Sequence, residues 1–191
     1  MSAARGFFPG AEAACGRIVG ALAQFLAILG GLVLLAITVM TVVSIAGRAL
    51  ISLGFGPVPG DFELVEAGVA FAVFSFLPWC HYRRGHVMVD LFAQTFGPRG
   101  LAAFSLVGNF LMTVAAVLIA WRLGLGTSDK LAYGETTFIL QFPLWWPYAA
   151  ALVGAWLFAL TAAYTVWRSL NEMLGKGEDE AMRPTGTEWG E

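Results

Sequence analysis

Glu63 and Glu66, three residues apart, open an apolar stretch that closes on His81, Arg83, Arg84, His86 and Asp90. Carboxylates at that spacing share one face of a helix, where they can pair with a basic group, couple to an ion, or simply complement the positive end of the helix dipole. The pairing reading has two versions. The acids meet Arg48 across the first loop, or they meet a basic residue on a partner protein. His86 and Asp90, four apart, suit a hydrogen bond, but a metal site wants more ligands than these two. Haem ligation wants histidines inside the bilayer on facing helices, and His81 and His86 are expected at the surface. Cys15 and Cys80 are read as free thiols at the ends of the first and second helices. Nucleophilic catalysis lacks its base, since no span holds a histidine or a mid-helix acid. The chain is therefore read as neither an enzyme nor a cofactor protein.

The elements that position these residues follow from hydropathy. Of 191 residues 58% are hydrophobic and 13% charged, too little polar surface for a soluble domain of this size. A hydrocarbon core of about 30 Å needs about 20 apolar residues of helix. Four segments qualify, with spans expected at about 18–47, 62–80, 100–121 and 144–167. The first is long enough to tilt or to project from the bilayer, and too long for the apolar core of a cleaved signal. Pro143 and Pro147 set the start of the fourth. The expected architecture is an all-α integral membrane protein: an N-terminal tail over 1–17, a four-helix transmembrane domain over 18–170, and a mobile acidic tail over 171–191.

Pro59-Gly60-Asp61 reads as a turn with Asp61 as N-cap, placing Glu63 and Glu66 in the first two turns of the second helix. After that helix Gly85 allows a turn, and 86–96 reads as a short helix lying in the interface. Orientation follows from Lys and Arg, of which eight fall in the tails and second loop and three near the first and third loops. Both termini are thus expected in the cytoplasm. Trp145, Trp146 and Tyr148 would sit at the outer interface and Trp167 at the inner one. Small residues recur on the last helix at Ala151, Ala155, Ala159 and Ala163, with Ala150 and Gly154 beside them, and would let a neighbouring helix approach.

Two stretches carry a resemblance. Pro59-Gly60-Asp61-Phe62-Glu63-Leu64-Val65-Glu66, an apolar helix, then Gly85-His86-Val87-Met88-Val89-Asp90-Leu91 form the first; Gly134-Glu135-Thr136-Thr137 through Leu140, Pro143, Leu144 and Trp146 to Tyr148 form the second. In order and spacing they resemble the small membrane subunit of TRAP (tripartite ATP-independent periplasmic) transporters, over about residues 18–170. Pro78-Trp79-Cys80 departs from the family, which more often has small residues there, and leaves the local helix end open.

The resemblance implies a chain without a substrate site of its own, in a bacterial inner membrane. A large membrane subunit would hold the substrate and sodium sites and move them, and a periplasmic binding protein would deliver an organic acid. The small subunit would brace the stationary scaffold. No cofactor and no nucleic-acid partner is expected. Candidate contacts to the other components are Arg48, Asp61, Glu63, Glu66, Trp145 and Trp146, with Asp129, Lys130 and Glu135 nearby; Arg83, Arg84, Gly85, His86 and Asp90 would form the cytoplasmic turn and interfacial helix. The competing expectation is a stand-alone oligomeric four-helix transporter or channel with Glu66 as coupling acid. Its weakness is depth, because such an acid belongs near mid-membrane.

Overall fold

In the computed structural model, residues 9–83 and 98–181 are described. They form four helices, α1 Pro9–Ala49, α2 Asp61–Tyr82, α3 Pro98–Tyr133 and α4 Trp145–Ala181, with a short 3-10 turn at Ile51–Leu53. All four are long and apolar enough to cross a membrane. The interfacial helix expected over 86–96, with Arg84, Gly85, His86 and Asp90, lies outside the described residues.

The helices outrun their expected spans. α1 has 41 residues, about 61 Å at 1.5 Å per residue, twice the hydrocarbon thickness. α3 continues past Arg122 to Tyr133. One arginine does not end a helix, and this one lays its guanidinium 5.7 Å from the centre of the Trp121 ring. What ends α3 is Gly134, left-handed at φ 62. α4 runs on through the expected tail boundary to Ala181, over residues that are mostly good helix formers.

α2 also continues through Pro78, which is buried, and ends in Tyr82 with Arg83 as its cap. Proline has no N–H to give the carbonyl four residues back, so the Phe74 carbonyl loses its intrahelical partner. Gly154 of α4 lies against that carbonyl, and a Cβ there would come within 2.5 Å of the oxygen. The departure from regular helix on α2 is thus matched by a missing side chain on α4.

Helix directions alternate, and the helices pack in the order α1–α2–α4–α3. Among the described residues the α3 backbone comes close to neither α1 nor α2, and α1 reaches α4 only lightly. The result is an open layer with α4 inside it, not a closed bundle. In α4, 44% of the most apolar window is buried, against 11% in α1 and in α3. Small residues allow the close packing: Ala116 and Ala120 of α3, and Ala151, Ala155, Ala159 and Ala162 of α4, are all buried. Of the expected stripe, Ala163 instead faces outward.

The outer faces are apolar. Leu22, Phe25, Leu32, Leu35 and Val39 of α1, and Phe110, Leu111 and Leu118 of α3, are exposed. Surfaces of that kind are covered by lipid or by protein. Near the end that bears the chain termini the interior turns polar. His81 Nε2 meets Thr165 Oγ1 at 2.8 Å, and Asn109 donates to Ser169 Oγ at 2.7 Å. His81 is therefore not the surface residue expected, being 4% exposed with its ring edge-on to Phe158. Its place on the α2 face that meets α4 explains this, since a polar end of a transmembrane helix is still interior on the packed side.

Candidate functional site

The acids gather at the opposite end, where 50–60 joins α1 to α2 and 134–144 joins α3 to α4. Gly60, left-handed at φ 73, caps α2, and Asp61 is the first helical residue instead of the expected N-cap. The Asp61 carboxylate accepts the Phe62 N–H at 2.9 Å and the Ser44 hydroxyl at 2.5 Å. Arg48 reaches the same carboxylate at 3.4 Å. Arg48 thus meets Asp61, and neither Glu63 nor Glu66. Ser44, buried in α1, also accepts the Val58 N–H at 3.2 Å, so one hydroxyl ties the first loop to both of its helices. Ser44 stands one turn before Arg48 on α1, the signal that would have marked it.

Glu63 is occupied differently. Its two oxygens accept the backbone N–H groups of Ile139, at 2.6 Å, and Leu140, at 2.9 Å. The third loop is itself a small hairpin: Thr136 and Pro143 form an antiparallel bridge, Thr137 N–H donates to Phe142 O, and Leu144 N–H donates to Glu135 O. Lys130 Nζ donates to Glu135 at 2.6 Å, fixing the hairpin to the last turn of α3. The hairpin holds Phe138 out at its tip, 94% exposed. No pattern in the sequence marks a carboxylate that binds backbone amides 76 residues later.

Glu66 is the third acid. Among the described residues its carboxylate has no hydrogen bond or ion pair, although Glu63 and Glu66 do share one face. That face borders a cleft of about 240 Å³ between α2 and α3, with α4 as its floor and the hairpin as its roof. Ala67, Ala70, Phe74, Leu123, Tyr148 and Ala151 supply most of its wall. Arg48, Asp61, Trp145 and Trp146 do not line it. The two tryptophans meet edge to face, 6.3 Å apart, in the first turn of α4, with Trp146 exposed. At the other end Arg83 lies over Trp79, 5.5 Å from the ring centre. Among the described residues no three of His, Cys, Asp and Glu come together as a metal site.

One family model matches residues 37–172 of this four-helix chain: the DctQ component of tripartite ATP-independent periplasmic transporters. The chain belongs to the DctQ family. It is a small membrane component of a TRAP transporter and not an enzyme. The match takes in every described contact of the two loops, from Ser44 to Leu144. Neither the curated proteins nor the solved structures provided a match. In this DctQ component the acids at the start of α2 divide by role: Asp61 closes the first loop, Glu63 closes the third, and Glu66 faces the open cleft.

Proposed function

We propose that this DctQ component braces the stationary scaffold of the large membrane subunit, in sodium-coupled uptake of an organic acid that a periplasmic binding protein delivers. The observation that carries the reading is the open α1–α2–α4–α3 layer with its long exposed apolar faces. A layer of this form adds area and rigidity to a larger membrane protein. The acids support it too, since Asp61, Glu63 and Glu66 all stand within the first two turns of α2, far from mid-membrane where a coupling acid would serve. Sodium and substrate then belong to the partner. The loop end faces the periplasm and both termini the cytoplasm of the inner membrane, as the distribution of basic residues favours.

The test is purification from native membranes in mild detergent through a C-terminal tag, with copurifying proteins identified by mass spectrometry. Recovery of a much larger multispanning protein at about one-to-one ratio, and loss of sodium-dependent organic-acid uptake when this chain is deleted, is the expected result. A homo-oligomer without a partner would overturn the scaffold reading and favour transport by this chain alone.

A further inference from the structure

We propose that the cleft beside Glu66 receives one basic side chain, an arginine or a lysine, carried by an apolar helix of the large membrane subunit, an assignment that rests on the scaffold reading above. The first argument is charge. Of the other acids at this end, Asp61 has Ser44 and Arg48, Glu63 has two backbone amides and Glu135 has Lys130, while Asp129, on α3, does not line the cleft. Of the cations toward this end, Arg48 and Lys130 are spent on those contacts, and Arg122 lies over the Trp121 ring. Glu66 remains, five residues into α2, about 7.5 Å below the helix start. A carboxylate at that depth on an apolar wall is stabilised by a cation that arrives with its own apolar stem.

Shape is the second argument. Among the described residues the α3 and α2 backbones stay apart, and a groove runs between them over α4. Toward the terminal end it is filled, since Phe158 packs there with Leu77 and Met112. At the loop end Thr137 and Phe142 roof it. What stays open is about 240 Å³, below the roughly 300–1,000 Å³ of small-molecule sites. Ala67, Ala70 and Ala151 line it, and residues this small let a neighbouring backbone come close. The space suits a long side chain inserted from the flank, with its charged head at Glu66.

The experiment uses the assembled transporter, purified as above from cells expressing the chain with Glu66→Gln or Glu66→Arg. Among the described residues Glu66 has no hydrogen bond or ion pair to lose, so each variant should keep the thermal transition of the free chain. The recovered large subunit should fall by about tenfold or more, as for removal of one partner of a desolvated charge pair. A suppressor of Glu66→Arg should replace a basic residue of the large subunit with an acidic one. Independently of variant folding, a benzophenone introduced at Ala70 should crosslink to a transmembrane peptide of the large subunit bearing Arg or Lys within about one turn of the captured residue.

Wild-type recovery of the large subunit with both variants would overturn the cleft assignment and leave the scaffold reading intact. So would crosslinking to phospholipid alone, or loss of bound aminophospholipid with subunit ratio unchanged, which would make a lipid ammonium group the occupant. Absence of any large partner from the wild-type preparation would instead overturn the scaffold reading itself.

Discussion

Glu63 accepts the backbone N–H of Ile139 at 2.6 Å, and with Leu140 at 2.9 Å this makes a side chain of α2 the anchor of the hairpin before α4. Charge-assisted bonds to adjacent amides hold a loop more firmly than neutral ones. Glu63→Gln keeps a single carbonyl acceptor. Hydrogen–deuterium exchange of the peptide holding residues 137–142 should speed up by about tenfold, with the centres of α2 and α4 unchanged. Unaltered exchange there would refute the anchoring role.

Gly154 packs where Pro78 has freed the Phe74 carbonyl, and there is no room for a side chain. Gly154→Leu must push α2 and α4 apart, costing about 1–3 kcal/mol. The midpoint of thermal unfolding in detergent should drop accordingly. A variant as stable as the parent would show that the two helices do not meet this closely.

Ser44 and Arg48 share Asp61 but should differ in weight. Ser44 is fully buried and bonds to both Asp61 and Val58, whereas the Arg48 side chain is 50% exposed and 3.4 Å away. Ser44→Ala should destabilise the chain by about 1–3 kcal/mol, and Arg48→Ala by about 1 kcal/mol or less. Reversal of that order in thermal unfolding would move the first loop's main tie to the ion pair. By this reasoning Arg48 is a local clamp before it is a contact to another subunit.

The sidedness proposed above places the exposed Phe138 in the periplasm. With Cys15 and Cys80 replaced by serine, Phe138→Cys should react with a membrane-impermeant thiol reagent in intact cells made permeable only at the outer membrane. Native Cys15, on its exposed stretch of α1, should react only after the inner membrane is opened. The opposite pattern would invert the orientation.

How much of this was legible depended on the range of the interaction concerned. Four spans, their order and the place of the acids at the start of α2 follow from the sequence because hydropathy and helix-starting turns are local and a bilayer demands a fixed length of apolar helix. Helix ends were less legible: α3 passes Arg122, where a span of about 100–121 was expected, because neighbouring helices support what a local signal would interrupt. The partners of the acids were not legible at all. Glu63 and Ile139 are 76 residues apart, and Arg48 chose Asp61 over its two neighbours. The same holds for His81, polar in type and placed near a helix end, yet buried against Thr165. Sequence by itself determined the membrane class and the family of this protein. Only tertiary structure decided which acid is left facing an open cleft, because that depends on which helix faces meet, and a period of 3.6 residues fixes a face without naming its neighbour.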